Sequence, residues 1–162
     1  MAAFIKLGDI KGEATDSGHK DWIIIEAMSS SVSRSIQHGA KDQQRTKGET
    51  SLSDIQIVRQ LDKSSVKLQE ACANGTFFKE VEIHFCTTVK NAQEPYLKYK
   101  IYDVIVSSYS MSGNSSGDPL PSESVSLGFS KVDWTYIVVD PKTGDKKGDV
   151  AAKYNPGEGK AG

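Results

Sequence analysis

One short stretch, from Asp62 to Gly75, carries the only convincing helix signals in the chain. The side-chain oxygens of Asp62, Ser64 and Ser65 can accept hydrogen bonds from the free N–H groups at a helix start. Gly75 favours the left-handed conformation in which many helices stop. A helix of about ten residues is too short to be stable alone in water, so we expect it to pack against a larger structure.

The apolar residues of this stretch predict which side of the helix is buried. Leu68, Ala71 and Cys72 lie three or four positions apart, so they share one face. We assign these three residues a structural role, which is to pack the helix against the rest of the fold.

The chain around the helix is typical of β-strands. Apolar and polar residues alternate along three segments, residues 52–61, 77–89 and 123–129. The apolar parity changes near Ile101 and again between Phe129 and Val132, which predicts a bulge or corner at each place. Long strands, one helix and frequent Gly or Ser turns favour a mainly β fold, either an antiparallel barrel or a sandwich.

The composition argues against several classes of protein. The 162 residues include 20 basic and 21 acidic ones, whereas nucleic-acid binding usually requires a basic excess. No apolar run reaches the ~18 residues of a membrane span. The N-terminus lacks a charged start followed by a long apolar core, so no secretory signal is visible. Two cysteines, Cys72 and Cys86, do not make a disulfide framework, and we expect them to be buried, reduced thiols.

A search for catalytic chemistry finds nothing above background. The chain has neither a G-x-S-x-G elbow nor a GxxxxGK[ST] phosphate loop. His84 and Cys86 share one face of a strand and could start a metal site, but no second pair of ligands lies nearby in the sequence. We therefore expect no catalytic residue, no cofactor and no metal.

Two features favour a subunit of an assembly. The run from Trp22 to Ala27 contains three consecutive isoleucines, so its strand is apolar on both faces and needs two partners, one of which can be a neighbouring copy. Residues 37–50 contain almost nothing apolar and form a long loop, and long loops in compact domains are usually functional or mobile.

An ordered set of motifs carries a family resemblance. They are the opening FIKLGDIKGEATDSGHKDWIII with His19, the helical stretch from Asp62 to Gly75, the run VIVSSYS that starts at Val104, and the strands that start at Glu123 and Val132. This set resembles the haemolysin-coregulated protein (Hcp) family, the tube subunit of the bacterial type VI secretion system. The resemblance covers residues 4–140.

The resemblance implies an antiparallel β-barrel of two sheets with one short α-helix packed on its side. Residues 1–140 would form a single domain, and residues 141–162 would form a polar, partly disordered tail. Six copies would close into a ring, and rings would stack into a hollow tube. Ser29 corresponds to a position that faces the lumen of that tube.

The long loop is the best candidate for contacts between stacked rings, because it can reach beyond the end of the barrel. Its candidate residues are His38, Lys41, Gln43, Arg45 and Lys47. The resemblance also implies the other partners, which are a contractile sheath around the tube, a spike protein at its tip and effector proteins in its lumen. The protein would be cytoplasmic before assembly and then secreted without a signal peptide.

Two other functions compete with the tube subunit. A monomeric ligand-binding barrel, such as a lectin-like module, would need a concave pocket, and a filled interior would count against it. A small β enzyme would use His84, Asp133 or Glu123, and turnover retained after His84→Ala would dispose of it.

Overall fold

The computed structural model describes residues 1–36, 38–39, 41, 48–117, 120–157 and 160–161. Twelve strands and one helix occur in this part of the chain. They are β1 (Ala2–Leu7), β2 (Ile23–Ile25), β3 (Ala27–Ser29), β4 (Val32–Arg34), β5 (Thr50–Leu52), β6 (Ile55–Gln60), α1 (Ser65–Asn74), β7 (Phe77–Val89), β8 (Ala92–Ser112), β9 (Ser122–Gly128), β10 (Lys131–Val139), β11 (Lys146–Asn155) and β12 (Lys160–Ala161). The mainly β class predicted from the sequence is confirmed.

One set of strands is paired in a closed cycle. β1 pairs with β2, β3 with β6, β6 with β9, β9 with β8, β8 with β7, and β7 with β1, and every pair is antiparallel. Only Glu26 separates β2 from β3, and its N–H donates to the carbonyl oxygen of Val58 at 2.9 Å. These two short strands therefore continue one another, and the cycle returns to its start. Among the described residues, this cycle and its extension form a ten-stranded sheet, and β4 with β5 forms a separate ribbon.

The inside of the cycle is filled by aliphatic side chains. Successive side chains of a strand point to opposite faces, so every second residue enters the core. The aliphatic core residues that these strands supply are Ala3, Ile5, Leu7, Ile23, Ile25, Ile55, Ile57, Val81, Ile83, Ile101, Val104, Val106, Val125 and Leu127. Within the residues that the structure describes, these packed side chains occupy the interior, which counts against the monomeric ligand-binding barrel.

The long strand β8 changes direction at Asp103. The φ angle of Asp103 is 53°, which is unusual for a residue other than glycine. The buried residues on either side, Ile101 and Val104, are three positions apart, so the alternation is broken between them. The parity change predicted near Ile101 is confirmed. Before the bend β10 pairs with β8, and after it β9 does, and both run antiparallel to β8. The second predicted corner is therefore the step between β9 and β10, where the chain follows the bend of β8.

Helix α1 lies against β8 and closes one side of the core. Leu68 and Ala71 are buried among the core residues, and Cys72 packs against them. The helix start matches the expected cap only in part, since Asp62 Oδ1 accepts a hydrogen bond from the N–H of Ser64 at 2.7 Å. Ser64 makes no side-chain cap, because its hydroxyl accepts a hydrogen bond from Arg59 Nη1 at 3.0 Å and donates one to Asp62 Oδ1 at 2.5 Å.

The end of α1 depends on a left-handed glycine, and its replacement should destabilise the protein. Gly75 has φ 63° and ψ 40°, its N–H donates to the carbonyl oxygen of Cys72, and the N–H of Thr76 donates to that of Ala71. Because a β-carbon disfavours this conformation, we expect Gly75→Ala to lower the free energy of unfolding by about 1 kcal/mol in urea denaturation. Gly75→Asn should cost less, since asparagine tolerates positive φ, and equal losses for both variants would contradict this explanation.

The polar tail over residues 141–162 contains a strand that the sequence did not predict. β11 pairs with β10 from Val132 opposite Tyr154 to Val139 opposite Lys146, and β12 pairs with the end of β11. Most residues of β11 are exposed, so no alternation of apolar residues marks the strand. Main-chain hydrogen bonds to β10, which a sequence pattern does not reveal, hold it in place.

Candidate functional site

Ser29 lies on an exposed polar face formed by four neighbouring strands. Ser29 on β3 is opposite Gln56 on β6, and Gln56 is opposite Ser126 on β9. Ser126 is in turn opposite Ser108 on β8, and Gln56 Nε2 donates to Ser124 Oγ at 2.8 Å. We call Ser29, Gln56, Ser108, Ser124 and Ser126 the serine face. None of these five side chains is buried, because the alternate residues of the same strands fill the core.

The predicted stacking residues are only partly within the described chain. His38 and Lys41 are exposed. Gln43, Arg45 and Lys47 lie outside the residues that the structure describes. Next to this loop, the β4–β5 ribbon places Val32 opposite Leu52, and Val32 is exposed, so the ribbon offers apolar surface to a partner.

A second exposed surface is apolar and lies on the β10–β11 hairpin. Tyr136 is directly opposite Val150, and Val138 follows on the same face of β10. The same face carries the buried Val132 nearer the start of β10, so the core side of this strand continues past the core and is left uncovered. We call Tyr136, Val138 and Val150 the apolar patch. Clustered exposed apolar side chains mark protein–protein contacts.

Strand β2 also leaves an apolar side chain uncovered. Ile23 and Ile25 point into the core, whereas Ile24 between them is exposed. The prediction that this run is apolar on both faces therefore holds, and the outer face is open to a partner in the isolated chain.

The three side chains that a small β enzyme would use lie in separate hydrogen-bond networks. Each is held by a side chain of the fold: Arg59 for Glu123, Tyr102 for Asp133, and His19 for His84. The structure does not bring the three together as one constellation. Within the described residues, no group of three or more His, Cys, Asp or Glu side chains is placed to hold a metal ion.

An open groove of about 960 Å³ lies outside the cycle, between α1 and the start of β7. Lysines and acidic residues line it together, and Lys67 pairs with Glu70 across 2.6 Å. The groove is therefore of mixed charge, and it offers no convergent set of polar groups of the kind that a ligand-binding barrel would need.

The sequence analysis missed a buried ion pair between Arg59 and Glu123. The two residues are directly opposite each other on β6 and β9, and each is only 1% exposed. Arg59 Nη2 also contacts Asp62 Oδ1 at 2.5 Å. A signal was present, since Arg59 continues the inward alternation of Ile57, and Glu123 begins that of Val125.

The same ion pair ties helix α1 to the strands. Ser65 Oγ donates to Glu123 Oε1 at 3.0 Å, and the Tyr109 hydroxyl donates to Glu123 Oε2 at 2.5 Å. Burial raises the pKa of Tyr109, and its hydrogen bond to Glu123 raises it further. Burial also acts to raise the pKa of Asp62, but hydrogen bonds from Arg59 and Ser64 outweigh it and lower that pKa below its ordinary value.

A second buried polar group lies on the outer face of β7, under the loop of residues 11–22, which we call the strap. His19 Nδ1 is 2.7 Å from Asp16 Oδ2, and His19 Nε2 is 2.9 Å from His84 Nδ1. Burial lowers the pKa of His84 to about 4, and the charges of Lys98 and His19 add to this. Burial raises the pKa of the neighbouring Cys86 thiol to about 11.

The sequence and the fold both match known proteins. Residues 4–136 match the family described as "Type VI secretion system effector, Hcp". The protein hcp1 of Pseudomonas aeruginosa is 31% identical over 133 residues, which is 82% of this chain and 81% of that protein.

Solved structures resemble the chain over nearly its whole length. A type six secretion system protein has a TM-score of 0.90 and 27% identity, with 99% of both chains covered. Hcp1 from Salmonella typhimurium has a TM-score of 0.77 and 26% identity, covering 99% of this chain and 97% of that one. A type VI secretion system effector from Yersinia pestis has a TM-score of 0.73 and 27% identity, covering 94% and 98%.

Proposed function

The chain belongs to the Hcp family of type VI secretion system proteins, and we propose that it is a structural subunit of the secretion tube. Six copies form a ring, and rings stack into a hollow tube. The observation that carries the proposal is the match of one family across residues 4–136, together with a shared fold across nearly the whole chain. The subunit acts by assembly and not by catalysis.

The apolar patch supports the ring. A ring of identical copies needs two different surfaces on each subunit, which meet after a fixed rotation. We propose that the patch is one of them, because it continues the core side of β10 beyond the core and exposes Tyr136, Val138 and Val150. Among the described residues, no strand pairs with the outer edge of β11 from Lys146 to Lys153, so this edge is also open to a neighbouring copy.

The serine face supports a lumen wall. Its five side chains are neutral and polar, and they lie in register across four strands. The face therefore offers hydrogen-bonding groups and presents neither a charged nor an apolar surface. Such a wall suits the passage and holding of folded effector proteins of varied charge. In this proposal Ser29 faces the lumen, as the family resemblance implies.

The other contacts follow from the family. The long loop with His38, Lys41, Gln43, Arg45 and Lys47 reaches the next ring, and the apolar surface of the β4–β5 ribbon supports a contact at this end. A contractile sheath surrounds the tube, a spike protein caps it, and contraction exports it from the cytoplasm. No helix in the part of the chain that the structure describes is long and apolar enough to cross a membrane.

Light scattering of the purified protein tests the ring. Six copies of the 17.6 kDa chain have a mass of about 106 kDa. We expect this mass for the natural sequence and a monomer for Val150→Lys, because a buried charge in the patch would oppose the contact. The matched control is Val66→Lys on α1, since Val66 is 67% exposed and Val150 is 69% exposed.

Each outcome of this experiment has a distinct meaning. Loss of the ring in both lysine variants would show a general effect of the added charge and contradict the assignment of the patch. A ring that survives Val150→Lys would show that the patch is not part of the interface, but it would not contradict the proposed tube function. A natural chain that stays monomeric at high concentration would contradict the proposed function itself.

A further inference from the structure

We propose that the strap is an acid-sensitive latch, which the neutral His19–His84 pair holds on the outer face of β1 and β7 and which opens as the solution is acidified below about pH 6.5. This inference goes beyond the proposed function and does not depend on it. It rests on side chains of a single chain, so it applies to the monomer and to any assembly in which the strap stays free to move.

Main-chain hydrogen bonds join the two ends of the strap to each other. The N–H of Gly12 donates to the carbonyl oxygen of Asp21 at 2.8 Å, and the N–H of Ala14 donates to that of Trp22 at 3.1 Å. The N–H of Asp21 donates back to the carbonyl oxygen of Ala14 at 2.9 Å. These bonds shape the strap internally, but they do not attach it to the sheet.

His19 provides the titratable attachment of the strap to the sheet, beside the buried Ala14 and a main-chain hydrogen bond from Gln93 to Asp16. Its ring is 3% exposed, stacks on Phe4 of β1 at 4.6 Å between ring centroids and meets His84 of β7 through the 2.9 Å contact. Trp22 completes an aromatic cage around the two imidazoles, because its ring centroid is 4.9 Å from that of His19 and 4.7 Å from that of His84. Cys86 lies fully buried beneath the strap, with Sγ 3.8 Å from His19 Nε2.

The hydrogen bonds of the pair determine where its protons lie. The carboxylate of Asp16 can only accept, so His19 Nδ1 carries a proton and His19 Nε2 is bare. His84 Nδ1 must then donate to His19 Nε2, which leaves His84 Nε2 without a proton. This nitrogen is buried, has no hydrogen-bond partner and lies 3.4 Å from Glu82 Oε2.

This arrangement has room for one added proton and not for two. A first proton would complete a chain from Asp16 through both imidazoles to Glu82. A second would place two imidazolium rings in contact inside an aromatic cage, where burial penalises charge. Opening of the strap would release the pair from this burial, and an exposed imidazole is free to bind a proton below about pH 6.5.

The charged groups around the pair do not stabilise a second added proton. The strap supplies Asp16, and β7 supplies Glu82 and the neutral thiol of Cys86. β8 supplies Lys98, which is directly opposite His84, and the more distant Glu94. β1 places the uncharged Phe4 opposite His84, with Lys6 two residues further along. The positive charge of Lys98 opposes protonation of His84.

The sign of the pH effect follows from this proton count. The closed strap binds fewer protons than the open one below about pH 6.5, so its closure is favoured above that pH and is lost as the pH falls. A deficit of one proton makes the opening equilibrium rise about tenfold for each pH unit. The pKa of His84, which burial lowers to about 4, agrees with a closed strap that binds fewer protons.

The buried thiol of Cys86 gives a direct readout of strap opening. The experiment uses the full chain with Cys72→Ala, so that only Cys86 reacts, and follows labelling by 4,4′-dithiodipyridine between pH 7.5 and 4.5. Each rate is divided by the rate for the same protein unfolded in guanidinium at the same pH. We expect the protection of Cys86 to fall about a hundredfold from about pH 6.5 to 4.5.

Two variants separate the latch from a general effect of acid. His84→Asn keeps an N–H donor near His19 Nε2 but cannot titrate, so its protection should stay nearly constant over this pH range. Asp16→Asn removes the anion that balances the first proton. In this variant the protection of Cys86 should fall further than in the Cys72→Ala protein that keeps Asp16. Labelling should not depend on low urea concentrations, because opening of a short loop exposes little surface.

Three results would overturn the proposal. The first is protection of Cys86 that does not change with pH in the Cys72→Ala protein. The second is the same dependence on pH after His84→Asn. The third is a labelling rate at acidic pH that rises steeply with urea. The third would show that Cys86 reacts through global unfolding instead of strap opening.

Discussion

Replacing Arg59 with methionine should lower the free energy of unfolding by about 3–5 kcal/mol. The variant removes the partner of Glu123, which is 1% exposed, and leaves an uncompensated buried carboxylate between β6 and β9. It also removes the contacts of Arg59 with Asp62 and Ser64 in front of α1. Urea denaturation followed by far-ultraviolet circular dichroism measures the loss.

A double variant serves as the control for this result. Arg59→Met combined with Glu123→Leu removes both charges and keeps the site filled, so it should recover much of the lost stability. If the single variant lost less than about 1 kcal/mol, the ion pair would not be the buried contact described here. If the double variant were no more stable than the single one, the loss would come from packing and not from an unpaired charge.

Truncating Leu68 to alanine should cost about 2–5 kcal/mol. Leu68 is fully buried and lies in the main core beside Ala71, so its removal leaves a cavity where α1 meets the strands. The same urea denaturation measures the effect. Val66→Ala on the same helix is the matched control, because Val66 is exposed and its truncation should change stability by no more than about 0.5 kcal/mol. Similar losses in both variants would contradict the packing of α1 on its Leu68 face.

Local patterns in the sequence were sufficient to predict most strands and the helix. The alternation along residues 55–59 and 123–127 marks the faces that enter the core, and the broken alternation near Ile101 marks the bend at Asp103. Such patterns succeed because each depends on residues only a few positions apart.

Contacts between distant segments could not be predicted in the same way. Arg59 and Glu123 are 64 residues apart, and His19 and His84 are 65 apart, so only the register of the strands brings each pair together. Strand β11 was missed for a different reason. It is held by main-chain hydrogen bonds to β10, and its mostly exposed side chains carry no apolar pattern.

The two surfaces proposed for assembly could be predicted only in part. Ser29 was proposed from the family resemblance alone, and the pairing of β3, β6, β9 and β8 places it within a row of small polar residues. The sequence does not predict the apolar patch, because the apolar pattern around Tyr136 and Val138 does not reveal where the core ends. Only the observation that β10 runs past the core reveals that they are uncovered.

Electron microscopy of the negatively stained natural protein tests the tube subunit most directly. We expect end-on views of open rings with six-fold symmetry, and side views of stacked rings at high protein concentration. Particles of the size of a single 17.6 kDa chain, or closed particles without a central opening, would contradict the proposal that this chain builds a hollow tube.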